Sequence, residues 1–128
     1  MPLLLLLSCG GPKGETPDLK TEYIEVDGAR IFTKTMGKGE PLLVVHGGPG
    51  LDHSYLLPQM APLAKDFQLI FYDQRCSGLS ASGLDSNQVT LKAFLKDIEA
   101  IRLHYKVDRL NLLGHSWGGL LAMFYALE

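Results

Sequence analysis

The sequence has little of what nucleic-acid-binding, disulfide-rich or metal-binding proteins need. Its 128 residues include 12 Lys and Arg against 14 Asp and Glu, giving a formal net charge of −2, and neither sign is gathered into a run. We therefore expect no nucleic-acid partner. The two cysteines, Cys9 and Cys76, form no Cys-x-x-Cys or Cys/His cluster. Neither a disulfide framework nor a metal site is predicted.

Apolar runs of bilayer length are also absent. The run of five leucines at residues 3–7 is far shorter than the roughly 20 residues that cross a membrane. It leads into Leu6-Leu7-Ser8-Cys9, which resembles the lipobox of bacterial lipoproteins. We therefore predict that residues 1–20 are a lipoprotein-like signal and tether, lipidated at Cys9, which would anchor the protein in the cell envelope facing the periplasm.

Two features leave an alternative open for this segment. No Lys or Arg precedes the leucines, and the run is shorter than the usual signal-peptide core of about 7–15 residues. An uncleaved apolar N-terminal tail on a cytoplasmic protein would also fit these residues.

From residue 21 onward, strand patterns alternate with helix patterns. Three of the strands are short runs rich in apolar residues, and the longest helix pattern carries one apolar stripe with Thr90 as its N-cap. Pro58 and Pro62 predict a short or broken first helix. The predicted strands are 21–26, 30–36, 41–45, 68–72 and 110–113, and the predicted helices are 54–65, 90–105 and 118–127.

This order predicts an α/β fold with a mostly parallel sheet and helices on both faces. Asp27-Gly28 predicts a tight turn, so an antiparallel hairpin should begin the sheet. Unalternated apolar runs predict that the later strands, including 110–113, are buried on both faces. Because the last apolar helix reaches Glu128, we expect residues 21–128 to be the N-terminal part of a larger domain, and to be marginally stable alone.

A candidate nucleophile lies in Gly114-His115-Ser116-Trp117-Gly118. The segment follows an apolar strand and continues directly into a helix, as in the strained strand-to-helix turn that exposes a nucleophilic serine. A serine hydroxyl also needs fixed donors for the oxyanion that its attack creates. Ser116 is therefore the predicted catalytic residue.

The predicted donors come from two segments. His46-Gly47-Gly48-Pro49-Gly50 follows an earlier buried strand, where an oxyanion loop is expected. We predict that the N–H groups of Gly48 and of Trp117, the residue after the nucleophile, form the oxyanion hole. A turn that needs its glycines only to reverse the chain is the alternative for the first segment.

Three blocks together carry a family resemblance. The segments 46–50, 72–78 (Tyr-Asp-Gln-Arg-Cys-Ser-Gly) and 114–119 resemble the proline iminopeptidase (prolyl aminopeptidase) family of α/β-hydrolases across residues 21–128. The resemblance implies an α/β-hydrolase fold and a cofactor-free enzyme. Its partner would be a small peptide or amide substrate, from which an N-terminal residue, often proline, is released through an acyl-enzyme on Ser116.

The resemblance also implies what this chain does not contain. In that family the catalytic Asp and His follow the nucleophile, so both would lie beyond residue 128, as would the helical cap. We therefore expect the 128 residues alone to lack hydrolase activity. Cys76 stands where the family often has glycine, and His53-Ser54-Tyr55 matches a His-x-Tyr pattern of the subgroup.

Other polar residues receive structural or secondary roles. We predict that His53 and Tyr55 line the substrate pocket, with packing as the alternative for Tyr55. His46 is expected to fix its loop by hydrogen bonding, and Asp73 and Arg75 to form internal ion pairs or hydrogen bonds. His115 is expected to be structural and His104 solvated.

Two alternatives for the function stay open. One is another α/β-hydrolase that acts on esters, amides or lactones. The other is a non-catalytic truncated hydrolase.

Overall fold

The computed structural model describes residues 18–81 and 83–128. Cys9 and nearly all of the predicted signal and tether lie outside these residues. Among the helices of the described residues, none combines the length and the apolar character needed to cross a membrane.

Five strands form one mixed sheet. In sheet order they run β1-β2-β4-β3-β5. β1, β2 and β4 pair antiparallel, whereas β3 pairs parallel with both β4 and β5. Each strand lies within two residues of its predicted bounds. The bounds are β1 Leu19–Val26, β2 Ala29–Met36, β3 Glu40–Val45, β4 Phe67–Tyr72 and β5 Asn111–Gly114.

The sheet begins with the predicted hairpin. β1 and β2 pair from Leu19 opposite Met36 to Val26 opposite Ala29. Asp27 and Gly28 both have positive φ, 47° and 80°, which is the backbone of a type I′ turn.

Helices follow the predicted positions. The first helical segment is broken as expected from its prolines: 3₁₀ turns at His53–Tyr55 and Ala61–Lys65 flank α1, Leu57–Met60. α2 spans Leu91–His104, and the Thr90 hydroxyl caps it by accepting the Ala93 N–H at 3.2 Å. α3 spans Trp117–Ala126.

The core has one apolar layer on each face of the sheet, because successive side chains of a strand point to opposite faces. α2 and α3 cover one face, and α1 with its flanking turns covers the other. The α/β-hydrolase arrangement with helices on both faces is confirmed. The first layer contains Ile31, Leu43, Val45, Ile70, Tyr72, Phe94, Ile98, Ile101 and Leu121, and the second contains Leu42, Val44, Leu56, Leu69 and Phe71.

One burial prediction is wrong. Leu112 and Leu113 of β5 are only half-buried, although the apolar run predicted a strand covered on both faces. β5 lies at the edge of the sheet, next to β3. Leu112 packs against the first apolar layer and Leu113 against the second, but no further strand among the described residues lies beside β5, so part of each side chain stays exposed.

A buried ion pair fastens the loop after β4 to α2. Both Arg75 and Asp97 are buried, at 4% and 0% exposure. The guanidinium donates two hydrogen bonds to the carboxylate, at 2.8 and 2.6 Å, and a third to the Gln88 carbonyl at 2.9 Å. The carboxylate raises the pKa of Arg75 further above its usual value. The internal role expected for Arg75 is confirmed.

We predict that Asp97→Asn lowers the free energy of unfolding by about 3–5 kcal/mol, because it leaves the Arg75 charge buried without its counter-charge. Urea unfolding monitored by circular dichroism measures this loss. Asp108→Asn is the matched control, since Asp108 is exposed. Equal stability of the two variants would contradict the prediction.

Candidate active site

Three loops meet at one edge of the sheet. β3, β4 and β5 are parallel, so the segments that follow their carboxyl ends converge there. These segments are residues 46–52, residues 73–78 and the turn between β5 and α3. In open α/β sheets, ligands bind outside this edge.

Ser116 occupies the turn between β5 and α3. Its φ of 55° and ψ of −121° fall in a region that L-residues rarely adopt. Ser116 is exposed to solvent. A non-glycine residue in such a conformation stores strain of about 1–3 kcal/mol, which persists only when its surroundings hold it. The backbone is that of the predicted strained strand-to-helix turn, residues 114–118, which we call the elbow.

Two close approaches hold this elbow. A Cβ at Gly118 would overlap the carbonyl oxygens of Val45 and His46, and a Cβ at Gly114 would overlap the backbone of Gly118 and Gly119. Only glycine allows the first turn of α3 to lie against the end of β3. The two glycines that flank the serine are therefore explained by packing.

This packing brings the two predicted oxyanion donors to the same edge. Gly48 has a φ of 141°, which glycine adopts without steric cost. Trp117 is the first residue of α3, and the first N–H groups of a helix have no partner within it. Both N–H groups belong to segments that contact each other through Gly118 and His46. Their role in oxyanion binding stays a prediction.

His46 fixes the glycine-rich loop, as predicted. Its ring is almost fully buried. The Gln74 backbone N–H donates to Nε2 at 3.0 Å, so Nδ1 carries the proton and donates to the Gly47 carbonyl at 2.6 Å. Burial lowers the pKa of His46, in agreement with a neutral ring.

Tyr55 holds the same loop from its other side. Its hydroxyl accepts the Gly47 N–H at 2.7 Å and makes a second hydrogen bond, of 2.8 Å, with His115 Nδ1. The structural role expected for His115 is thereby explained. Tyr55 is half-buried, and its predicted place in the substrate pocket stays a prediction.

Asp73 joins the start of the loop after β4 to His53 and to Leu79 by hydrogen bonds. Its carboxylate accepts the His53 backbone N–H at 2.9 Å, the His53 ring N–H at 2.7 Å and the Leu79 N–H at 2.9 Å. Burial alone would raise the pKa of Asp73, but these hydrogen bonds outweigh it and the pKa is lowered. His53 is only 6% exposed. Its ring is committed to Asp73, and its predicted pocket role stays a prediction.

Asp52 lies beside this pair, and its ligand atoms and those of His53 and Asp73 are within 4.8 Å of one another. The Asp52 carboxylate accepts the Ser54 N–H at 2.8 Å, and the bonds from Ser54 lower its pKa. Each of the two carboxylates thus already accepts protein donors. These contacts explain why the three side chains lie together: they hold the loops after β3 and β4 against each other.

No histidine or carboxylate of the described residues hydrogen-bonds to the Ser116 hydroxyl. His46, His53 and His115 are each engaged in the contacts above, and His104 is an exposed residue of α2 that lies 3.3 Å from Glu22. The predicted nucleophile and the predicted donors lie at the same edge of the sheet, and the expectation that the catalytic His and Asp lie beyond residue 128 stays a prediction.

Gln74 is the site residue that sequence reasoning missed. It is buried at the carboxyl end of β4 and contacts both His46 and Trp117. It lies inside the block 72–78, but a glutamine after a strand gives no signal of such contacts.

The fold and this edge together define the class of protein. The chain belongs to the α/β-hydrolase fold family, whose model matches residues 40–128. The α/β-hydrolase fold predicted from the sequence is confirmed.

The relatives within this class are similar to the chain over most of its length. A proline iminopeptidase of Heyndrickxia coagulans is 38% identical over 108 residues, covering 82% of this chain and 37% of that protein. One from Lactobacillus delbrueckii subsp. lactis is 40% identical over 114 residues, covering 84% and 38%. The predicted resemblance is confirmed. The chain spans less than two fifths of the length of these curated relatives.

A solved structure with a similar name has a similar fold. The crystal structure of a proline iminopeptidase-related protein from Thermus thermophilus superposes with a TM-score of 0.81 and 27% sequence identity, covering 87% of this chain and 41% of that one.

Cys76, which stands where the resemblance leads us to expect glycine, has a φ of 61°. L-residues in this left-handed region cost about 1–2 kcal/mol. We predict that Cys76→Gly raises the free energy of unfolding by about 1 kcal/mol and the melting temperature by a few degrees. Thermal unfolding measures both. Cys76→Ala is the matched control, since it removes the thiol but keeps the Cβ, and an equal gain in that variant would refute the backbone explanation.

Proposed function

We propose that this chain supplies the nucleophile and the oxyanion hole of a serine hydrolase of the proline iminopeptidase type. Its substrate would be a peptide or amide from which an N-terminal residue, often proline, is released. The observation that carries the proposal is the strained, exposed Ser116 between β5 and α3, beside the glycine-rich loop. The names of the relatives support the substrate class.

The proposed chemistry has two steps. In the first, Ser116 Oγ loses its proton to a base and attacks the substrate carbonyl carbon, and the carbonyl oxygen becomes an oxyanion. The N–H groups of Gly48 and Trp117 donate to that oxygen. The carbon–nitrogen bond breaks, the amine leaves with a proton, and an ester joins the substrate acyl group to Ser116. In the second step, a base takes a proton from water, which attacks the ester carbonyl carbon. The bond between that carbon and Ser116 Oγ breaks, the free acid leaves, and the serine oxygen regains its proton.

The base lies outside the described residues in this proposal. The catalytic His and Asp are placed after residue 128 of the complete enzyme, in the chain order Ser, Asp, His. General acid–base help contributes about 10²–10⁴-fold to such reactions. We therefore expect the purified 128-residue chain to turn over neither peptide nor ester.

The test uses the full-length enzyme with proline p-nitroanilide and a p-nitrophenyl ester. We predict turnover of the anilide, and a loss of at least about 10³-fold in kcat for Ser116→Ala, because the acyl-enzyme cannot form. Ser86→Ala is the matched control, since Ser86 is exposed and its hydroxyl donates, among the described residues, only to the neighbouring Asp85.

Three outcomes would contradict parts of this proposal. Turnover of the ester alone favours another α/β-hydrolase and removes the peptidase claim. Full activity in Ser116→Ala removes the serine nucleophile. Turnover of neither substrate favours a non-catalytic protein.

We also propose that Cys9 is a lipid attachment site that anchors the protein in the cell envelope. The support is the Leu6-Leu7-Ser8-Cys9 sequence. In bacterial expression with labelled palmitate, we predict incorporation of label and sedimentation with membranes, both lost in Cys9→Ser. Cys76→Ser is the matched control. A wild-type protein that stays unlabelled and in the soluble fraction would overturn the anchor.

A further inference from the structure

The side-chain amide of Gln74 joins two loops of the candidate site. Its Nε2 donates to the His46 carbonyl oxygen at 2.6 Å, and its Oε1 accepts the Trp117 indole N–H at 3.1 Å. The backbone N–H of the same residue donates to the His46 ring. Gln74 is 2% exposed; its two bonds to His46 are buried, and its bond to Trp117 is partly buried.

The orientation of this amide is fixed by its partners. An indole N–H can only donate and a carbonyl oxygen can only accept. A flipped amide would place donor against donor and acceptor against acceptor. Both ends are therefore satisfied in one arrangement alone, which makes Gln74 a rigid link of defined length.

That link connects the two segments that carry the oxyanion donors. His46 lies two residues before Gly48, and Trp117 itself supplies the second donor. A second link, through the Tyr55 hydroxyl, joins Gly47 to His115. The Tyr55 link is more exposed than that of Gln74, and a buried hydrogen bond is the more costly one to leave unmade.

We propose that Gln74 is a positioning residue that sets the separation of the Gly48 and Trp117 N–H groups. The inference rests on the proposed function, since it assumes that these groups bind an oxyanion. Such donors must lie 2.7–3.1 Å from the oxygen, and a misplacement of about 1 Å costs as much as 10²-fold in rate. Gln74 acts through the donors, because it bonds to both segments that carry them.

The test uses the full-length enzyme and the substrate of the preceding experiments. Gln74→Met keeps the length of the side chain and removes both hydrogen bonds. We expect kcat to fall about 10- to 100-fold while KM changes less than about threefold, because the oxyanion exists only in the transition state. Gln59→Met is the matched control, since Gln59 is exposed on α1, and it should leave both constants unchanged.

A second variant breaks the same link from its other end. Trp117→Phe removes the indole N–H and keeps an aromatic ring and the backbone N–H. If Gln74 acts through Trp117, the double variant should be no slower than the slower single variant. Should Gln74→Met fail to fold, the fall in kcat of Trp117→Phe carries the test, with the melting temperature as the measure of folding.

The outcomes separate this inference from the function on which it rests. Activity that persists in Ser116→Ala overturns the proposed function and the inference with it. Activity lost in Ser116→Ala but kept within twofold in folded Gln74→Met and Trp117→Phe overturns only the positioning role. The positioning role is also overturned if kcat/KM falls through a rise in KM instead of a fall in kcat. It is likewise overturned if the falls in kcat of the two single variants multiply in the double variant.

Discussion

The carboxyl edge of the sheet depends on how closely the first turn of α3 approaches the end of β3. Gly118 lies against the carbonyl oxygens of Val45 and His46, where no side chain fits. This contact fixes the direction of α3, and the His115 N–H, which donates to the Val45 carbonyl at 3.0 Å, continues the strand pairing up to the elbow. Ser116 keeps its strained backbone because both sides of the turn are fastened.

The polar groups at this edge are arranged as links between loops. Asp73 holds His53 and Leu79, Tyr55 holds Gly47 and His115, and Arg75 holds α2 through Asp97. Isolated buried polar groups would destabilise the fold. Among the described residues the buried Tyr72 hydroxyl has no partner, but the donors and acceptors of these links are matched. The links therefore give three irregular segments one defined geometry, which apolar packing alone would not specify.

The sequence predicted the parts of this arrangement that depend on local pattern. Apolar runs placed β3 and β4, the Asp27-Gly28 pair placed the hairpin, and Thr90 placed the start of α2. The glycines at 114 and 118 indicated the elbow, because the close backbone approach around the serine requires glycine at these two positions.

The parts that sequence reasoning missed depend on contacts between distant residues. Gln74 and Trp117 are 43 positions apart, and Tyr55 and His115 are 60 apart. No periodicity links such pairs, and the side-chain types alone permit many partners. The burial of β5 was predicted wrongly for a related reason, since its apolar run carries no information about which strand lies at the edge.

In the proposed enzyme, the described residues would supply one half of the chemistry that acyl transfer needs. Stabilising an oxyanion requires donors that are already in place, because donors that had to move would spend binding free energy on reorganisation. In this proposal, the hydrogen bonds of Gln74, His46 and Tyr55 would hold the donors in place, and the side chains of Gln74 and His46 are buried. Proton transfer has a different requirement, a base whose ring can reach both the serine and the leaving amine. His46 and His53 cannot meet it, because each is buried and bound to loop groups. In the proposed enzyme, positioning and proton transfer are therefore divided between two parts of the chain, and Ser116 is the point at which they meet.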